Sequence, residues 1–356
     1  MSAGADRQIC ESVVVDSIPG ADDELVASIL SASRGRISHD KLYRECGLFD
    51  LIEMVPPSTY SELPAREIPL KVGAWNVERC KYVHATAAKI RNSGCDIVLL
   101  SELDKGMARS SNRDTIREIA YTLGYGYAFC VEFVEAGMGH QAESVEYADE
   151  RNQLSLHGNA ILSRFPLENC IIIPTISQGL WFDLDWHHRR LGGRRALVAD
   201  VCVGPDRIRV SSVHFESLFN PAERLDEGRA LLLQLTESGL PDIIGGDLNT
   251  HMIPSVSDHT GTHHPSWFHE PQVHEPLFGI LREYGYDWTA ANIPAHTRRT
   301  LSNGFPKPPH ARCDWILPRT GTTCSRPETV FALNSAGYPI SDHDLVTTVV
   351  DGYQRR

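Results

Sequence analysis

Residues bearing a carboxylate, carboxamide or imidazole sit at the ends of strand-like apolar runs throughout this chain. They are Asn76-Val77-Glu78, Ser101-Glu102-Leu103-Asp104, Val213-His214-Phe215, Gly246-Asp247-Leu248-Asn249, Asp314-Trp315 and Ser341-Asp342-His343. A buried strand has no packing reason to finish in such a group, because an unpaired polar side chain costs free energy there. Strand ends that converge build a pocket able to hold a metal. The fold must therefore gather many strand ends at one place.

From Leu70 onward, strands alternate with helices. Val72–Trp75, Asp96–Leu100, Ala160–Leu162, Ala196–Val203, Ile208–Val213, Ile243–Ile244, Trp315–Leu317 and Leu345–Val350 read as strands. His84–Asn92, Arg113–Leu123, Arg224–Thr236 and Leu277–Tyr284 have helical spacing. The turn Gly204-Pro205-Asp206 predicts an antiparallel hairpin. Hairpins mixed with helices predict an α/β four-layer sandwich: two packed, mixed, largely antiparallel sheets flanked by helices.

Residues 1–66 read differently, as a short helical N-terminal extension packed on a main domain at 67–356. Ala21-Asp22-Asp23-Glu24 ahead of Leu25, Ile29 and Leu30 predicts a helix with acidic residues in its first turn. A second helix is expected over Lys41–Met54. Pro56, Pro57 and Pro64 then mark a linker near 55–69.

Composition narrows the partners. A hydrophobic share of 42% over 356 residues supports a sizeable core rather than disorder. The net charge of −12 argues against a general nucleic-acid binder, although a local cationic groove is compatible with it. The N-terminus shows no secretory leader and the longest apolar runs are strand-sized, so no membrane span is expected. Nine cysteines are scattered without a Cys-x-x-Cys pair, which points to reduced thiols and a cytoplasmic protein.

The ordered series Trp75-Asn76-Val77-Glu78, Ser101-Glu102-Leu103, His157-Gly158-Asn159-Ala160-Ile161-Leu162-Ser163, Val213-His214-Phe215-Glu216, Gly245-Gly246-Asp247-Leu248-Asn249, Cys313-Asp314-Trp315-Ile316 and Ser341-Asp342-His343 resembles the endonuclease/exonuclease/phosphatase superfamily. That group includes deoxyribonucleases, sphingomyelinases and inositol polyphosphate 5-phosphatases. The likeness covers about residues 70–352 and leaves the first 66 without a counterpart. It implies a divalent-metal-dependent hydrolase of phosphoric esters, in which an activated water attacks phosphorus in line. It also implies that Asp247 and Asn249 serve that water and the transition-state oxygens.

The chemistry supports those roles. A phosphodiester repels an incoming hydroxide, so catalysis needs a cation on the phosphoryl oxygens, a placed water and help for the leaving oxygen. Hard oxygen ligands suit Mg²⁺ or Mn²⁺. Glu102 is the first choice of ligand, with Asn76 and Asp247 beside it. Asp342 is expected to orient His343, which the resemblance implies is either the base or a phosphate binder. His214 lies across the site, and Asp314 orients its partner. Asn159 is expected at the substrate phosphate.

The basic stretch Trp186–Arg195 offers Arg190 and Arg194 to an anionic ligand, or is a solvated loop. Six histidines between His251 and His274 lack a His-Glu-x-x-His framework and read as a lid rather than a zinc site. In that lid, Trp267-Phe268 is suited to cover an apolar part of a substrate. The stretches 136–157, 174–195 and 251–275 read as long functional loops. The expected substrate is a small-molecule or lipid-like phosphoester. A DNA or RNA nuclease is the alternative, and a non-phosphate hydrolysis or a non-catalytic binding role stays open.

Overall fold

The computed structural model describes residues 12–58, 69–183, 189–235, 239–251 and 266–353. At the N-terminus, β1 (Val13–Val15), α1 (Asp23–Ser31), α2 (Arg36–Cys46) and β2 (Leu51–Val55) precede the main body. Next come β3 (Leu70–Arg79), α3 (Val83–Ser93), β4 (Ile97–Lys105), α4 (Thr115–Leu123), β5 (Gly126–Glu135), α5 (Gln141–Glu146) and β6 (Leu156–Ser163). The second half begins with β7 (Leu167–Pro174), β8 (Arg190–Gly192), β9 (Arg195–Val203), β10 (Asp206–His214), α6 (Pro221–Gln234) and β11 (Asp242–Asp247). It closes with α7 (Ser266–His269), α8 (Leu277–Glu283), β12 (Asp314–Pro318), β13 (Thr322–Val330) and β14 (Leu345–Tyr353).

Among the described residues, one sheet runs β1-β2-β5-β6-β4-β3-β14-β13, with β8 paired to β5, and the other runs β12-β11-β10-β9-β7. Three pairings are parallel, β1 with β2, β3 with β4 and β10 with β11; the rest are antiparallel. The hairpin expected at Gly204-Pro205-Asp206 joins β9 to β10.

Alternation along the strands explains the layering. In β4, Ile97 and Leu99 pack between the sheets, while Val98 and Leu100 face α3 and α4. In β3, Val72 and Ala74 point inward and Trp75 and Val77 outward. Both faces are covered, which is why these runs are apolar without interruption. Against the second sheet, Leu231 and Leu232 of α6 and Leu277 and Leu281 of α8 form a third core. Helix α6 starts at a capping box, where Asn220 accepts from Ala222 and Glu223 N–H groups and Glu223 reaches back to Asn220 N. The four-layer sandwich is as expected.

The helix expected over Lys41–Met54 stops at Cys46. Gly47 caps it at φ 63°, and Leu51–Val55 pairs with β5 instead. Ile52 fills the space between the sheets and Glu53 is held by four donors, so tertiary contacts override the helical spacing. The extension thus carries two strands as well as its two helices. Loop readings at 136–157 and 174–195 likewise missed α5 and β8. Strands β7 and β13 carry polar residues in their interiors and escaped notice for that reason, whereas β5 has Glu132 alone in its interior after the apolar run Tyr127–Val131 and was legible. All eight described cysteines are free thiols. Among the described residues no helix is long and apolar enough to cross a membrane.

Candidate active site

The strands open at one end of the sandwich into a cleft of about 360 Å³. Glu102 lines it, with Asn76 behind, and both lie within their strands rather than at strand ends, because β3 and β4 continue past them through irregular register. Glu102 has φ 58°, a left-handed conformation that costs a non-glycine residue about 1 kcal/mol or more. Such a bulge re-aims a side chain that an even pleat would send into the core. Asn76 Nδ2 donates to Glu102 Oε1 and to Asp247 Oδ2, both at 3.0 Å. Its Oδ1 accepts from Glu78 N, and its Nδ2 bridges the two carboxylates.

Both carboxylates are ionised. Burial disfavours charge on Glu102, but Arg79, His214 and His157 together hold it well below the usual carboxylate range. Asp247 is likewise lowered against its burial by His343 and His214, with N–H donation from Asn76 and Asn249. Asn249 lies beyond the end of β11 at φ 48°. Its N–H donates to Asp247 Oδ1 at 2.8 Å, and both residues line the cleft.

Two imidazoles flank this pair. His343 Nδ1 stands 2.8 Å from Asp314 Oδ2, and its Nε2 stands 3.6 Å from Asp247 Oδ2. Burial works to depress His343, yet Asp314, Asp247 and Asp342 outweigh it and push the ring up to about 10. Thr297 Oγ1 donates to the same Asp314 oxygen at 2.6 Å and fixes it further. Asp342, expected to orient His343, is turned instead to Arg298 Nη2 at 2.5 Å. Adjacent residues on a chain point apart, whereas Asp314 arrives from β12 on the correct side.

His214 is organised by a cation. Arg194 Nη1 donates to its Nδ1 at 2.8 Å, which leaves the proton on Nε2. That nitrogen faces Asp247 Oδ2 at 3.7 Å and Glu102 Oε1 at 3.9 Å. Behind it, Glu132 accepts from Arg194 at 3.0 Å and from Asn159 Nδ2 at 3.1 Å. Asn159 is 0% exposed, also donates to Arg195 O, and supports Glu132 from behind the wall. Its neighbour explains the motif: a Cβ on Gly158 would lie 1.9 Å from Cys130 O.

The structure therefore gathers Asn76, Glu102, His214, Asp247, Asn249, Asp314, Asp342, His343, Arg190 and Arg194 around one cleft, and sets Asn159 behind it. Sequence reasoning missed Glu78, Arg79, His157, Trp181 and Arg298, which all line the cleft. His157 heads a motif already singled out. Glu78 ends another, and Arg79, Trp181 and Arg298 carried no signal of their own. Of the basic stretch, 186–188 lies outside the described residues, as do 252–265 and the Trp267 side chain of the expected lid. His251 does line the cleft, and burial pushes it down to about 4.

The donor set suits a divalent cation. Asp247, Asp314 and His343 bring ligand atoms within 4.8 Å of one another. Asp314 Oδ2, however, is already engaged by His343 and Thr297. Asp314 Oδ1 has no hydrogen-bond partner, and the carboxylates of Glu102 and Asp247 converge on one neutral amide beside it, Glu102 Oε2 also accepting from Arg79 Nη1 at 3.2 Å. No Lys or Arg comes within 4 Å of Asp247 among the described residues, so a cation between them would relieve their repulsion.

The sequence profile described as Endonuclease/Exonuclease/phosphatase family matches residues 73–343. Among solved structures, an endonuclease/exonuclease/phosphatase from Beutenbergia cavernae superposes with a TM-score of 0.56 at 18% identity, over 81% of this chain and 72% of that one. A functionally unknown conserved protein from Enterococcus faecalis gives 0.53 at 14%, over 80% and 100%. The human Nocturnin catalytic domain, with a bound sulfate anion, gives 0.50 at 16%, over 83% and 98%. At these identities the likeness is one of fold. No match was found among curated proteins.

Proposed function

The chain belongs to the endonuclease/exonuclease/phosphatase family and is a metal-dependent phosphoester hydrolase; from that premise we propose that it cleaves small-molecule or lipid-like phosphoesters by in-line attack of water on phosphorus. The observation carrying this reading is the pair of ionised carboxylates, Glu102 and Asp247, set between two imidazoles with opposite anchors.

Glu102 and Asp247 are the residues to hold Mg²⁺ or Mn²⁺, which would draw charge from the phosphoryl oxygens. Asp247 and Asn249 orient the attacking water. His343, with Nδ1 given to Asp314 and Nε2 directed among carboxylates, is a donor to a phosphoryl oxygen rather than the base. His214, fixed by Arg194, presents its Nε2 proton from the opposite side. Asp314 and Arg194 are positioning residues in this scheme.

The cleft favours a compact substrate. Leu301, Phe305, Pro306 and Trp181 supply apolar wall, and Arg79 and Arg194 are already paired with buried carboxylates. A net charge of −12 points the same way, since a long polyanion needs unpaired cations. Free thiols at all eight described cysteines accord with a reducing, cytoplasmic setting.

The test is turnover by purified protein with Mg²⁺ or Mn²⁺ on a panel of small phosphomonoesters and phosphodiesters, plasmid DNA and RNA, at two salt concentrations. Faster cleavage of small esters, insensitive to salt, is the expected result. Preferential cleavage of nucleic acid that falls steeply with salt would replace this substrate class with the nuclease alternative.

A further inference from the structure

One cation on the cleft wall is poorly satisfied. Arg190, on β8 beside Glu135 of β5, is 6% exposed and lines the cleft. Its Nε has no hydrogen-bond partner, and its charged contact among the described residues is Glu135 Oε1 at 3.3 Å. That oxygen already accepts from Arg109 Nη2 at 2.9 Å. A buried guanidinium with unused donors is destabilising unless an acceptor arrives.

The surroundings leave room for one. The guanidinium lies over the rings of Trp181, at 4.7 Å, and Phe133, at 5.3 Å. Ring contacts occupy the face of the ion and leave its N–H edge for the cleft. Beside it His157, also lining the cleft, gives Nδ1 to Asp104 Oδ1 at 2.7 Å, so its Nε2 accepts from a protonated phosphate oxygen and donates to one only when the ring carries both protons. Arg190 is not within 4 Å of Glu102 or Asp247. Arg194, which shares the Phe133 ring and touches His214, connects the two places. Arg190 and the two carboxylates thus share one cleft without direct contact.

We propose that Arg190, with His157 and Trp181, forms a subsite for a second phosphate group, so that the substrate is a soluble small molecule bearing two phosphates. One phosphate reacts beside Glu102 and Asp247 while Arg190 takes the other in its N–H fork. This rests on the hydrolase reading only in choosing which end reacts.

Binding tests it without turnover. Full-length protein saturated with Mg²⁺ is titrated calorimetrically with alkane-α,ω-bisphosphonates from ethane to hexane, and with alkylphosphonates of equal length. At least one bisphosphonate should bind about tenfold or more tightly than its monophosphonate, because the second contact is intramolecular. Arg190→Gln should erase that preference and leave monophosphonate affinity unchanged, and Arg190→Lys should keep part of it; melting curves verify that both fold. A wild-type protein without any bisphosphonate preference overturns the proposal, whatever the variants do. So does a preference that survives Arg190→Gln, or an equal loss for both ligand types, which would put Arg190 on the reacting phosphate. If the preference holds but no phosphoester is cleaved, the subsite stands and the proposed activity fails. Turnover without the preference means the reverse.

Discussion

His343 gives its Nδ1 to Asp314, 29 positions earlier in the chain, at 2.8 Å, while its own neighbour Asp342 pairs with Arg298 at 2.5 Å. The ring's orientation therefore depends on β12 meeting the end of the chain, and Thr297 locks that junction. Asp314→Asn should lower kcat by roughly 10²–10⁴-fold, and adding His343→Gln should cost little more, since both remove one unit. Asp342→Asn should cost clearly less. Steady-state kinetics of the three variants checks the order; equal losses for Asp314→Asn and Asp342→Asn would contradict the pairing.

Glu102 and Asp247 carry the charge that a divalent ion would balance. Chelation with EDTA should abolish turnover, and Mg²⁺ or Mn²⁺ should restore it. Glu102→Gln should lose at least about 10²-fold in rate while its circular dichroism and melting point hold. Phosphate release and Mn²⁺ equilibrium dialysis on the same samples separate lost metal from lost fold.

The N-terminal extension is fastened by a buried charge. Glu53 of β2 receives Lys105 Nζ at 2.5 Å, Tyr127 Oη at 2.5 Å, Arg117 Nη2 at 2.8 Å and Ile18 N at 2.8 Å. Lys105→Met leaves that carboxylate with Arg117 alone as its cation and should destabilise by about 1–3 kcal/mol. A Glu53→Gln/Lys105→Met double variant should recover part of the loss. Urea unfolding midpoints measure both.

Glu227 of α6 makes stability depend on pH. Burial pushes it from 4.5 up to about 7, although it accepts from Glu216 N at 3.0 Å. Between those values the folded chain keeps a proton that the unfolded chain has lost, so this residue's contribution falls as pH rises through the window. Glu227→Gln should gain on wild type across it, by up to about 3 kcal/mol once pH exceeds 7. Thermal melts near pH 5 and pH 8 test this; a gain that is the same at both would rule out the titration.

Much of the site was legible because its residues sit in short motifs next to apolar strands. Asn76, Glu102, His214, Asp247 and His343 stand out as polar groups that a buried strand has no reason to carry, and the cleft collects them. Asn159 stood out equally and proved to be a support for Glu132, since a side chain's position within a strand does not tell which neighbour it meets. The strand β2 was hidden because a short apolar run of its length fits a helix face as well as a sheet.

Local pattern is enough to specify alternating strands and helices, since periods of 2 and 3.6 belong to single segments. It also marks where costly polar groups interrupt them. Pairing is different. That His343 meets Asp314, that Arg194 meets His214, and that Arg190 is left with half a partner are outcomes of which strands adjoin. Contacts between residues far apart in the chain have no signature in either segment, because the energy that selects them exists only once both sheets are packed.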